Sequence, residues 1–425
     1  NDGCEKCHTD PYLKHGYIYG QVDGDPTTDF YTCKACHLDN GDGGHFEWQL
    51  LVDDPPLAAA VLAGEVELTP EQEAQYAYNT SLMNDVHMSH AMEFPYPQSM
   101  ANCVTCHEGK LDTVLSDANF NVVTCKSCHP VNGAVALDPA DEAGEETIYD
   151  TTGVALTTIT PHDETELNTE DCAECHSEGG SASVFSEIHT GYDKAIYTAD
   201  GLRYSDAISV TVDSASFEGD TLNIQFSATE ATDLEGLDVA DIVPTVMVGL
   251  YGWDTKDYII GAHERLFDDN NDGEISRASG DQRALEAEVG AEHPRITTVS
   301  ADGGSWEVDA DLSALTDLIA DNTVKRVEIA VMPVLEVGDG VALALDAPSR
   351  SFDLGTNAFI DDFYSPIVKV TDGCENCHDA LATTFHSPDR GGNIVVCRMC
   401  HITKSGGSHL EMQSRSIDSY AHAIH

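Results

Sequence analysis

The chain has 425 residues, 41% of them hydrophobic and 22% charged, and its 75 acidic against 20 basic side chains give a formal net charge of -55. That length suits two or three domains, and the composition is that of a folding chain. The acidic excess repels nucleic acid and anionic lipid surfaces, and the longest apolar stretch, Leu57–Gly64, falls far short of the roughly 18 residues of a membrane span.

In chain order, residues 1–197 hold five copies of one pentapeptide, Cys-x-x-Cys-His. They are Cys4-Cys7-His8, Cys33-Cys36-His37, Cys103-Cys106-His107, Cys125-Cys128-His129 and Cys172-Cys175-His176. Two more, Cys374-Cys377-His378 and Cys397-Cys400-His401, close the chain and use up all 14 cysteines. The spacing is that of c-type haem attachment. Two thiols add across the vinyl groups on one porphyrin edge, and the adjoining His is aimed at the iron as its proximal ligand. Zinc sites pair their CxxC units and do not require a His after each one. Seven covalent haems are therefore expected, with no thiol left for a disulfide or a lipid. Covalent attachment takes place outside the cytoplasm, and the chain opens at Asn1 without a signal-like stretch. The expectation is a mature, exported product with no lipid anchor, extracellular or secreted, with the periplasm as the alternative.

Seven of the 19 histidines are proximal, and ten of the remaining twelve fall in the haem-bearing regions. These distal candidates are His15, His45, His87, His90, His162, His189, His386, His409, His422 and His425. His263 and His293 read as surface residues. Bis-histidine irons are six-coordinate and closed to substrate, which suits electron transfer rather than bond-making. His87-x-x-His90 and His422-x-x-His425 each place two imidazoles on one helix face, within reach of two neighbouring haems. The third and fourth haems have no other His between His107 and His162, so their distal ligands come from afar, with His87 or His90 as the local source. The fifth is flanked by His162 and His189.

Residues 198–368 lack cysteine and change character. Alternation at Ile208-Val210-Val212, Leu222-Ile224-Phe226, Trp306-Val308-Ala310-Leu312, Val327-Ile329-Val331 and Val341-Leu343-Leu345 predicts half-buried strands. Turn residues such as Glu218-Gly219-Asp220 and Asp302-Gly303-Gly304 separate them. The expected fold is multidomain: mostly irregular or α haem-packed modules flanking an all-β domain, a Greek-key sandwich or split barrel. Asp268, Asn270, Asp272 and Glu274 resemble the start of a calcium loop, but Ser279 stands where the pattern wants a bidentate Glu, and Asp281 is the one substitute.

Residues 369–425 repeat the opening module. Asp372-Gly373-Cys374-Glu375 echoes Asp2-Gly3-Cys4-Glu5, a further His follows in each copy, and both finish in HxxH. The second module offers four spare histidines for two haems. In a head-to-tail filament, His422 or His425 completes a haem of the next subunit; a discrete monomer or partner-docked subunit is the alternative.

This ordered string of motifs resembles the outer-surface multihaem cytochromes of metal-reducing bacteria, the OmcA/MtrC type. The resemblance rests on the pentahaem block at 4–189, the strand-rich domain and the final CxxCH, His, CxxCH, HxxH order. It implies electron transfer to minerals, electrodes, flavins or partner cytochromes, and distal roles for His15, His87, His90, His386, His422 and His425. Seven haems stand where that family has ten, and the thiols some members carry in a β domain are absent. The rival readings are a multihaem enzyme of the nitrite, hydroxylamine or sulfur-oxyanion type, whose unusual CxxCK ligand is missing here, and a soluble periplasmic shuttle. No catalytic residue is expected.

Overall fold

Residues 21–22, 25–26, 55–70, 72, 94–116, 134–137, 146–149, 175–234, 236–252, 257–260, 285–360, 374–381, 386, 388–390, 392–401, 417 and 421 are described by the computed structural model of the chain. They fall in two units, Asn1–Ile196 and Tyr197–His425.

The described residues of the first unit form short elements only. Helix α1, Pro55–Leu62, begins on two prolines, tolerated there because the first turn has no intrahelical acceptor for its N–H groups. It ends where the amides of Gly64 and Glu65 turn back onto the carbonyls of Val61 and Ala60, both at 2.9 Å. Helices α2 (Val104–His107), α3 (Leu111–Val114) and α4 (Phe185–Ile188) are single turns. Strands β1 (Gln21–Val22) and β2 (Asp25–Pro26) pair antiparallel, as do β3 (Ala134–Leu137) and β4 (Glu146–Tyr149).

The second unit is built on two antiparallel sheets. After the single turn α5, Tyr204–Ala207, come β5 (Ile208–Glu218) and β6 (Thr221–Glu230). Next are β7 (Ile242–Gly252), β8 (Asp257–Ile260), β9 (Leu285–Glu288), β10 (Ile296–Asp302) and β11 (Ser305–Asp311). Helix α6 (Thr316–Ala320) leads into β12 (Val324–Glu336), followed by β13 (Ala342–Ala344), β14 (Ser349–Asp353) and β15 (Ala358–Phe359). One sheet has the order β10-β11-β6-β5; the other runs β15-β14-β12-β7-β8, with β13 added on β12 and β9 on β7. The chain changes sheets after β6, β9 and β11, the crossing expected of a Greek-key sandwich.

The alternating segments become these strands. Leu222, Ile224 and Phe226 are buried along β6, and Val308 and Ala310 lie opposite them in register on β11. Phe226 and Trp306 are cross-strand partners whose rings stack at 5.2 Å. Gly303 and Gly304 both adopt positive φ in the two-residue turn between β10 and β11, the geometry that tight hairpins favour. Asn223 ties the solvent side of this sheet, donating to Glu307 and Asp309 at 2.8 Å each.

β12 departs from the half-buried strand that its alternation suggests. Val327, Ile329 and Val331 are fully buried on the face turned to the other sheet, where Arg350 on β14 donates to the Val212 carbonyl of β5 at 3.3 Å. The opposite face is covered too: Glu328, Ala330 and Met332 are 4%, 0% and 2% exposed. What covers it is helix α7, Ile394–Cys400, which carries the last CxxCH motif. Val396 and Met399 of α7 join Met247, Tyr251, Ala330, Met332 and Ala347 in one apolar cluster. A strand between two layers needs apolar residues on both sides, so its pattern is continuous.

His293 has a structural role: its Nδ1 accepts from the backbone N–H groups of Arg295 and Ile296 at 3.2 and 3.1 Å. The calcium-loop residues Asp268, Asn270, Asp272 and Glu274, together with His263, lie outside the described residues. Among the described residues no helix is long and apolar enough to cross a membrane.

Candidate haem-attachment sites

Three of the seven motifs are described in full, and all three fold the same way. The His107 amide donates to the Cys103 carbonyl at 2.9 Å, His378 to Cys374 at 2.9 Å, and His401 to Cys397 at 2.8 Å. One helical turn therefore sets the two sulfurs three residues apart on one side, with the His immediately following.

In the first unit the Cys103 turn is stitched to residues 191–194. The Cys103 amide donates to the Tyr192 carbonyl at 2.9 Å, and the Tyr96 hydroxyl to the Gly191 carbonyl at 2.5 Å. Asn102, 1% exposed, donates through Nδ2 to the carbonyls of Pro97 and Lys194, both at 2.8 Å. The Thr105 hydroxyl closes the turn onto the Ser99 carbonyl at 2.7 Å. Burial holds the His107 imidazole below its ordinary pKa, with Lys110 adding to the effect, so the ring is neutral near pH 7 as a metal ligand must be. Asn102→Ala removes both bonds, leaves the buried Pro97 carbonyl without the Asn102 donor and is expected to cost about 2 kcal/mol. Hydrogen exchange at 103–107 checks it: protection there should fall while that of the β strands stays unchanged.

The half-described motif Cys175-His176 shows a further sign of ligand geometry. His176 Nδ1 lies 2.5 Å from the Ser183 carbonyl, which can only accept, so Nδ1 carries a proton. A backbone acceptor on one ring nitrogen is the usual way of fixing a metal-binding tautomer. His189 follows α4, and three residues later Tyr192 packs edge-on to Tyr96 with ring centres 6.3 Å apart. Residues just beyond His189 are thus brought to the Cys103 turn, not only to the Cys175 motif from which it is closer in sequence.

In the second unit, the Asn393 side chain caps α7, accepting from the Val395 amide at 2.8 Å. Asn393 Nδ2 donates to the Ala347 carbonyl at 3.0 Å and to Ser349 Oγ at 3.2 Å. Gly392 is needed for this approach: it has φ +86, and a Cβ there would collide with the Ala347 backbone. At the other end of α7, Cys400 Sγ is 3.9 Å from Met247 Sδ. Burial pushes the thiols of Cys397 and Cys400 up to about 12. The rings of His386 and His401 lie with centres 5.9 Å apart and planes at 75°.

The Cys374 turn is bordered by acids. Ser205 on α5 hydrogen-bonds Asp379, and Arg203 donates to the Glu375 carbonyl at 3.2 Å. Burial, followed by the charges of Glu375, Asp379 and Asp206, raises Asp346 to about 7, with Arg203 opposing.

These residues fit the haem that the motifs imply. An imidazole nitrogen sits about 2 Å from a first-row metal it ligates, so two axial imidazoles put their ring centres roughly 6 Å apart, the spacing of His386 and His401. Among the described residues no group of three or more His, Cys, Asp or Glu gathers as a metal cage. Cys4, Cys7, His8, His15, Cys33, Cys36, His37, His45, His87, His90, Cys125, Cys128, His129, His162, Cys172, His409, His422 and His425 lie outside the described residues. Sequence reasoning missed Asn102, Asn393 and Met247; for Asn393 the signal was present, an Asn directly before the apolar run Ile394-Val395-Val396.

Three described Cys-x-x-Cys-His segments that close the same hydrogen-bonded turn have the form that c-type haem attachment takes. Residues 1–190 match the family model described as outer membrane cytochrome MtrC/MtrF-like, domains II/IV. This amino-terminal segment belongs to the outer-surface multihaem cytochrome family. Among solved structures, MtrC from Shewanella baltica OS185 aligns over 100% of this chain with 15% identity and a TM-score of 0.44. The chain spans 60% of that structure. The decahaem cytochrome OmcA aligns over 52% of this chain and 33% of its own, with 14% identity and a TM-score of 0.30. No curated protein matches the chain.

Proposed function

We propose that the chain is an extracellular electron-transfer cytochrome carrying seven covalent c-type haems, each capped on both faces by histidine. Its electrons go to minerals, electrodes, flavins or partner cytochromes. The observation that carries this reading is the pair His386 and His401, with ring centres 5.9 Å apart. When bound, the haem supplies a one-electron couple at its iron; the chain's own residues hold it and keep reactants away. Cys397 and Cys400 would hold the haem covalently, His401 and His386 would ligate its iron, and Met247 and Met399 would exclude water from the side of the sheet. With both axial positions taken, an iron relays charge and does not grip a substrate, which favours a conduit over an enzyme.

His189 has two candidate irons, those of His107 and His176. In the second module, His386 opposite His401 leaves His409, His422 and His425 for the single iron of His378. That surplus supports self-association in which His422 or His425 completes a haem of a neighbouring copy. Intact-mass measurement and low-temperature EPR of the haem-loaded protein test the whole reading. Seven haem additions with only low-spin ferric signals, and no carbon monoxide binding, are expected. A high-spin centre that turns over a small substrate overturns it in favour of the enzyme. A particle that stays monomeric at high concentration with seven low-spin haems removes self-association alone.

A further inference from the structure

Three acids on the face of the second sheet that α7 covers, Glu286, Asp353 and Glu328, have different partners. Glu286 on β9 is the cross-strand partner of Met247 and pairs with Arg390 at 2.9 Å. Asp353 on β14 lies opposite Arg326 of β12 and approaches it at 3.6 Å. Glu328, between them on β12, has hydroxyls as its hydrogen-bond partners among the described residues. Ser351 opposite it donates to Glu328 Oε2, and the Ser349 hydroxyl is its second hydrogen-bond partner. Ser349 in turn accepts from Asn393, the cap of α7. The strand on the other side offers Gly249 directly opposite, flanked by Met247 and Tyr251. Arg350 points to the other face, over the Phe359 ring. Helix α7 brings one other ionisable side chain, Arg398, besides its motif cysteines. At 4% exposure Glu328 is a buried acid, and among the described residues no cation is bonded to it.

We propose that Glu328 is a proton-binding site coupled to the electron held at the Cys397–His401 haem, so that a proton enters when that centre is reduced. The proposal rests on the reading of Cys397-Cys400-His401 as a haem site. Met247, which touches Cys400, is the diagonal cross-strand neighbour of Glu328, a relation that spans roughly 7–8 Å. One electron, from an upstream cytochrome or an electrode, lowers the iron charge by one; one proton, from water, converts the Glu328 carboxylate to the acid. A unit charge on the order of 10 Å from a carboxyl, at an effective dielectric of about 20, changes its proton affinity roughly tenfold. Reduction removes positive charge, so the carboxyl holds its proton more tightly and the potential falls as pH rises. Burial already lifts Glu328 to about 7, against the hydroxyl bonds that lower it, which puts this coupling in the neutral range.

The test is a spectroelectrochemical titration of the full haem-loaded chain between about pH 5.5 and 8.5, on wild type, Glu328→Gln and Ser349→Ala. The relevant component is identified as the one that turns high-spin in His386→Gly. In wild type its electron affinity should fall, at most about tenfold per pH unit, and an infrared band of a protonated carboxylic acid should grow on reduction. Glu328→Gln should abolish both. Ser349→Ala keeps the acid but removes a donor to its charged form, so its pH window should move upward; this second variant decides the matter if Glu328→Gln fails to fold. Unchanged pH dependence in Glu328→Gln, or in Ser349→Ala should that be the only folded variant, overturns the proton site. Absence of haem from Cys397 and Cys400 by peptide mass overturns the haem reading itself, a separate failure.

Discussion

Exchanging His386 for glycine should turn one low-spin haem high-spin and open it to carbon monoxide, while the other six stay closed. The ring of His386 stands 5.9 Å from that of His401, and no nearer spare imidazole is available to the same face among the described residues. Removing it leaves a vacant axial position at one iron, which raises the potential and admits small ligands. The size of the effect is all or none in spin state at that centre, which makes it easy to read against six unchanged ones. The same exchange at His409 should leave the Cys397–His401 centre low-spin. If His386→Gly stays entirely low-spin, His386 is not the sixth ligand, and the distal position falls to His409, His422 or His425, from the same chain or a neighbouring one.

The second large effect is expected at Met399, which is fully buried where α7 meets the sheet. Truncating a buried methionine to alanine costs about 3 kcal/mol through lost contacts and the cavity left behind. The loss should centre on α7, because its other anchors, the Asn393 cap and Val396, lie toward the far end of the same short helix. Chemical denaturation should show Met399→Ala less stable by that amount, with the largest rise in hydrogen exchange at 394–400. A variant that matches wild type within about 0.5 kcal/mol would mean that the last motif is not seated on the sheet. The same change should broaden the redox component of the Cys397–His401 haem, since the helix positions both sulfurs and the proximal ligand.

Much of the second unit was legible from periodicity. Leu222, Ile224 and Phe226 alternate because one face of β6 is wet, and the paired glycines of the β10–β11 hairpin mark a turn needing positive φ. β7 was missed for the opposite reason. Its sequence, from Ile242 to Gly252, is nearly continuous in apolar residues, and such a run has no period to detect. β14 escaped because Ser349, Arg350 and Ser351 look like a polar turn; they form a strand because Arg350 finds a carbonyl and a ring on one side while the serines meet Glu328 and Asn393 on the other.

Covalent chemistry acts over five residues, so spacing alone carries the expectation of haem attachment: all 14 cysteines stand in Cys-x-x-Cys-His, and each fully described motif closes the same hydrogen-bonded turn. Axial pairing, by contrast, joins residues far apart or in different modules, and a one-dimensional pattern carries no distance. Only the tertiary structure set His386 opposite His401, laid the last motif over β12, and left Glu328 under it with hydroxyls for company. The physical reason is that burial of a second sheet face depends on what arrives from elsewhere in the chain. Alternation at Val327, Ile329 and Val331 records the face packed by the neighbouring sheet; nothing local to β12 records the arrival of α7.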